Sequence, residues 1–161
     1  MIKTIWLALA LALALAAQDS ARKLPKVFGG GSVEEILWVR LDKGDDVLES
    51  LTAIFNDKGI HDGAVMNAVG SLESCKFHGV NGTMTTVSEP IEILNLAGMV
   101  AEGKPHLHVI VSNKARGALG GHLEAGCRVL SQIEVMVARF KGPAMVRKPA
   151  APGGAAALQP K

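Results

Sequence analysis

Two hydrophobic periods alternate along this chain. After Asp46, the apolar residues Val47, Leu48, Leu51, Ile54 and Phe55 recur at i, i+1, i+4, i+7 and i+8, the stripe of an amphipathic helix. Asp45 can cap its start, and Gly59 stands where a left-handed C-terminal residue belongs. This is the one strong helix pattern. Elsewhere the period is two, or the run is continuously apolar. Residues 36–41 alternate around Trp38 and Arg40 and read as a strand. Residues 64–69, 75–80 and 91–100 are apolar or alternating, and are bounded by Gly70-Ser71, Asn81-Gly82 and Glu102-Gly103. Asn81-Gly82 between two such runs is a hairpin signal. Residues 106–111 alternate, and 129–140 form a long β-rich run. Six or more strands with one helix predict an α+β fold with a mainly antiparallel sheet.

The ends carry a different pattern. Lys3 is followed by an unbroken apolar run over residues 5–16, with small residues at Ala14 and Ala16. That is the form of a secretory signal peptide over 1–17, cleaved after Ala16 or Ala17. The run is short for a membrane-crossing helix, which needs about 20 residues. The alternative is an uncleaved N-terminal anchor. Residues 18–32 read as a flexible, Gly-rich lead-in and 33–140 as the folded domain. The Pro-, Ala- and Gly-rich segment 141–161 reads as a disordered tail. The protein is thus expected to be secreted or periplasmic.

Charge divides along the same lines. The whole chain has a formal net charge of +2. Residues 33–140, however, hold nine Lys and Arg against fourteen Asp and Glu, a net charge of −5. The positive charge lies at the ends, in Lys3, Arg22, Lys23, Lys26, Lys141, Arg147, Lys148 and Lys161. An acidic domain is a poor electrostatic partner for phosphates. The two cysteines, Cys75 and Cys127, both lie in apolar segments and read as buried thiols. A bridge is the alternative that an exported protein would permit.

The candidate chemistry is histidine. His106 and His108 lie two apart in an apolar strand and so share a face, while Leu107, Val109 and Val111 take the other. The segment after Val111 reads as a turn, which would return His122, preceded by Gly120-Gly121, beside the pair. Three converging imidazoles form a three-histidine metal site with a fourth position open, the catalytic type of zinc site. Imidazole also suits copper, nickel and iron. Glu134 and Glu92 are charged residues inside apolar strands, candidates for a general base or for holding a ligand's second ring nitrogen. The alternative is a solvated strand face. Lys104, Lys114 and Arg116 flank the site in sequence, and Lys104 and Arg116 are candidates to receive a substrate carboxylate. His61 and His78 read as surface or packing residues.

These segments carry a resemblance. Gly98 after Leu94-Asn95-Leu96-Ala97, then Pro105-His106-Leu107-His108-Val109, then Gly120-Gly121-His122-Leu123-Glu124-Ala125-Gly126, then Ile133-Glu134-Val135 resemble the plants and prokaryotes conserved domain in its bacterial form. The resemblance implies a trimer and, in prokaryotic members, a metal at His106, His108 and His122. The fold also resembles that of acetolactate decarboxylase, a three-histidine zinc enzyme. Plant members add AT-hooks and bind DNA. The AT-hook core Arg-Gly-Arg-Pro is absent here, and only Arg147-Lys148-Pro149 echoes it. The plant segment Gly-Arg-Phe-Glu-Ile is similar to Glu89-Pro90-Ile91-Glu92-Ile93, without the Arg.

Two functional readings follow. One is an exported zinc-binding protein that binds a small molecule or performs metal-dependent lyase or hydrolase chemistry on a small oxygenated acid. The other is a non-enzymatic DNA-binding protein, as elsewhere in the family. A homotrimer is expected in either case. Residues 129–140 are apolar on both faces, one helix can cover only one face of the sheet, and a large exposed apolar patch is unusual in a monomer.

Overall fold

A computed structural model of the chain describes residues 25–161; the expected signal peptide lies outside them. The element order is β1 (Ser32–Asp42), α1 (Val47–Asp57), β2 (Gly63–His78), β3 (Met84–Val87), β4 (Ile91–Ala101), β5 (Lys104–Asn113), β6 (Gly117–Leu123), β7 (Arg128–Lys141), β8 (Met145–Pro149) and β9 (Ala156–Pro160). β1 to β7 form one antiparallel sheet in the order β1-β7-β2-β4-β5-β6, with β3 paired to β2. The fold is therefore α+β with a mainly antiparallel sheet. No helix of the described residues is long and apolar enough to cross a membrane.

β2 organises this sheet. Its 16 residues pair with β7, β4, β3 and β6. Gly70-Ser71 does not end the strand, as its turn chemistry suggests, but sits in a run of register shifts against β7. The shifts bend β2 without breaking it, which is what bulges do. The bend lets β4, β5 and β6 curl round until β6 meets the far end of β2. β3 is a short strand that the hydrophobic pattern alone does not separate from the loop after Asn81-Gly82.

The helix covers one face. Val47, Leu51 and Phe55 are buried and join Leu107, Val109, Val111, Val129, Ile133, Val135 and Val137 in a single core. The cap is Asp46, one residue later than the pattern suggests. Its Oδ1 accepts the N–H groups of Leu48 and Glu49, each at 3.1 Å, which satisfies two donors of the first turn. Its Oδ2 accepts from Gly126 N at 2.6 Å, tying the helix to the loop before β7. Asp45 instead accepts from the backbone of Asp42. Gly59 takes the expected left-handed conformation after the helix, with φ 63°.

Two expectations are corrected. Cys75 and Cys127 form a disulfide and are not free thiols. They are 52 residues apart in sequence, and the pairing of β2 with β7, with Ser74 opposite Arg128, brings their segments side by side. The tail also has structure: β8 and β9 pair as a hairpin across a turn containing Gly153 at φ 73°. Composition alone hides this, because Val146 is the tail's one fully buried hydrophobic side chain, 2% exposed. The hairpin is fastened at its base. Met145 N donates to Asp62 Oδ1 at 3.0 Å, and Lys161 Nζ pairs with Glu102 at 3.2 Å.

Candidate metal centre

The register of three strand pairs builds a row of side chains across the outer face of the sheet. His108 of β5 stands opposite His122 of β6, and His122 stands opposite His78 of β2. On the other side of His108, β4 presents Ala97. Directly opposed residues share a face, so this row reads His78, His122, His108, Ala97. His106 lies one alternation back along β5, opposite Met99. Leu107, Val109 and Val111 point the other way, into the core, so burial of the alternate residues holds β5 in the register that presents the two histidines.

Gly121 makes the close approach possible. A Cβ there would run into the carbonyl oxygen of His78, so any other residue would push β6 off β2. Gly120 is constrained in the same way against the carbonyl of Val109. The glycine pair thus lets β6 sit tightly between its two neighbours and sets His122 between His108 and His78.

The ligand nitrogens of His106, His108 and His122 all lie within 4.8 Å of one another. Ring centroids are 5.3 Å apart for His106 and His108, 4.8 Å for His106 and His122, and 5.4 Å for His108 and His122. Zinc bonded at about 2.0–2.1 Å to each nitrogen needs donors roughly 3.4 Å apart in tetrahedral geometry. Three imidazole nitrogens are the donor type that zinc takes, so the donor set fits such an ion in chemistry, and the present spread would contract around it. Burial, the charge of Arg147 and the neighbouring imidazoles hold the pKa of His106 below its ordinary value. His122 is lowered too, chiefly by burial and then by His78 and His108, with Arg147 adding to the effect and Glu124 opposing it. Both shifts favour the neutral imidazole, the form that donates to a metal.

His78 and Glu124 belong to this surface. His78 Nδ1 lies 2.8 Å from Glu124 Oε1, and the His78 ring centroid is 4.6 Å from that of His122. The sequence did carry a signal for both. Glu124 is two residues from His122, and His78 alternates with the apolar Phe77.

The other sequence candidates lie elsewhere. Glu134 stands between Arg40 and Val69 on β7, and Glu92 between Ser71 and Ser112 near the start of β4. Both are exposed and neither is in the histidine row. Arg116 is in the turn at the far end of β5 and β6, hydrogen-bonded to Glu89, a contact that lowers the Glu89 pKa. Lys104 is two residues before His106, on the same face by strand alternation, and exposed.

Residues 28–141 match the Plants and Prokaryotes Conserved (PCC) domain. The chain belongs to that family. A metal-containing protein from Archaeoglobus fulgidus is similar in structure, with 28% identity and a TM-score of 0.72 over 84% of this chain and 99% of that one. A protein from Bacteroides thetaiotaomicron, named only as a candidate for DNA binding, shares the fold at 22% identity and a TM-score of 0.66, over 80% of this chain and 94% of its own. A bifunctional GlmU protein from Synechococcus is 30% identical over 125 residues, 77% of this chain. The chain spans about a fifth of the length of that relative, which is 20% covered. The PCC match ends at Lys141, before the β8–β9 hairpin begins.

Proposed function

We propose that this protein is an exported, homotrimeric PCC-domain protein that holds zinc at His106, His108 and His122 and acts on or binds a small oxygenated acid. The observation that carries the metal reading is the convergence of three imidazoles, two of them with lowered pKa, on one outer face. The metal-containing relative from Archaeoglobus supports it. A disulfide suits an oxidising compartment, and the apolar run over residues 5–16 suits export.

Zinc in such a donor set supplies Lewis acidity toward a carbonyl or carboxylate oxygen. The protein's own groups do the rest. With Nδ1 donating to Glu124, His78 has its second ring nitrogen available to accept a proton beside His122. Lys104 adds positive charge at the rim of the same face.

Metal analysis of the purified mature protein tests this reading. About one zinc per chain is expected, and none after His106→Ala with His108→Ala. Equal metal content in that double variant would end the assignment. DNA binding is the second reading, favoured by the description of the Bacteroides neighbour and opposed by the net charge of −5 over residues 33–140.

A further inference from the structure

The histidine row does not end at His78. On its far side His78 stands opposite Met84 of β3, so the side chains across four strands run Met84, His78, His122, His108. Directly opposed residues share a face, with Cβ atoms about 5 Å apart. Cys75, Phe77 and Val87, which alternate with this face on β2 and β3, are buried. Met84 is therefore an outward residue, 49% exposed, and its thioether is not taken up in the core. His78 is held in the way that metal-ligating histidines are held. Its Nδ1 lies 2.8 Å from Glu124 Oε1, and a ring N–H given to a carboxylate fixes the tautomer and leaves Nε2 with the lone pair. Glu124 is itself fastened to β2, its N–H donating to Lys76 O at 3.0 Å. The ring centroids of His78 and His122 are 4.6 Å apart, closer than any pair within the three-histidine set.

We propose that His78, Met84 and His122 form a second metal site, for Cu(I), with His78 in the middle and His122 shared with the three-histidine set. Thioether sulfur selects Cu(I), and imidazole suits copper as well as zinc. Zinc takes imidazole, thiolate and carboxylate, so Met84 is the donor that discriminates between the two ions. Methionine is unbranched, with three rotatable bonds, which gives its sulfur the reach to lean over the neighbouring ring. The negative charge of Glu124 offsets that of a monovalent cation. Met99, the register partner of His106, is the other sulfur on this side, but it lines an apolar cleft with Phe28, Met145 and Leu158. Because the two donor sets share His122, an ion in one excludes an ion in the other.

The test uses the full mature chain with its disulfide intact. Cu(I) is kept reduced with ascorbate, and its affinity is read by competition with bicinchoninate. About one Cu(I) per chain is expected. Met84→Leu, a near-isosteric change at an exposed residue, should weaken Cu(I) at least as much as loss of an outer partner weakens a metal site, about ten- to a hundredfold, with zinc content unchanged. Met99→Leu should leave Cu(I) binding as it is. His106→Ala with His108→Ala, which empties the zinc site, should still take up Cu(I), and zinc loaded first should weaken Cu(I) uptake by the parent. Equal Cu(I) affinity in Met84→Leu and the parent overturns the proposal. An equal loss in Met99→Leu does so too, as does loss of Cu(I) from the double histidine variant or uptake indifferent to bound zinc. A parent that binds Cu(I) in the expected pattern but no zinc overturns the zinc reading alone, whereas zinc uptake without Cu(I) overturns this inference alone.

Discussion

His122 stands directly opposite both His108 and His78, because β6 is held between β5 and the far end of β2. One residue therefore reports on both strand pairs: the three converging imidazoles need β5 and β6, and His78 joins them only while the curled sheet is closed. Its chemistry and the fold's integrity are coupled through that position.

The two lowered imidazoles make the metal-free protein sensitive to acid. An unfolded histidine titrates near 6.5, whereas His106 and His122 titrate lower in the fold. Below about pH 6.5 the unfolded state binds more protons, so stability is full above that value and is lost as pH falls toward the folded pKa values. The urea midpoint of metal-free protein is expected to drop between pH 7 and pH 5. The drop should be smaller in His106→Asn with His122→Asn. An identical pH profile in that variant contradicts the assignment.

Asp46 fastens the helix at both ends of its carboxylate. Replacing it by Ala removes a cap and orphans Gly126 N–H. A loss of about 2–3 kcal/mol is expected, measured by denaturant unfolding. Asp45→Ala, whose carboxylate bonds only to Asp42 N, should lose clearly less.

The Cys75–Cys127 bond closes a loop of some 50 residues. Restricting the unfolded chain to that extent is worth about 4 kcal/mol in the loop-entropy account. Reduction should therefore lower the denaturant midpoint markedly. A midpoint unmoved by reductant, with both thiols shown to be free, would count against the bridge as a stabilising element.

Assembly can be tested at Trp38. The outer face of β1, β7 and β2 presents Ile36, Trp38, Met66 and Val69, with Trp38 78% exposed. Large exposed apolar surfaces mark association sites. Sedimentation is expected to give a trimer, converted toward monomer by Trp38→Glu. A parent that is monomeric at micromolar concentration rules the trimer out.

For DNA, fluorescence titration should find weak binding without AT preference, lost steeply as salt rises. Tight, AT-selective binding by residues 33–140 would restore the nucleic-acid reading.

Much of this was legible in the sequence. Strand alternation put His106 and His108 on one face, and the glycines before His122 marked a close approach. The helix was readable from five apolar positions. What stayed hidden depended on contacts distant in the chain. Cys75 and Cys127 meet only because β2 and β7 pair. His78 joins the row only because β2 bends enough to meet β6. β8 and β9 lie in a segment whose Ala, Pro and Gly content suggests disorder, and the single buried side chain of Val146 leaves almost no periodic trace. Glu92 and Glu134 illustrate the converse: a charge within an apolar strand is outward-facing by alternation alone.

The length of β2 has a consequence for how the molecule comes into being. Its partners lie as far along the chain as Arg139, so a nascent polypeptide has no finished sheet until nearly the whole domain has been synthesised. Such long-range pairing folds slowly. Under the export proposed above, that delay would keep the polypeptide threadable until it reached the side where its cysteines can oxidise, and the bridge between β2 and β7 would then lock the sheet once it had formed.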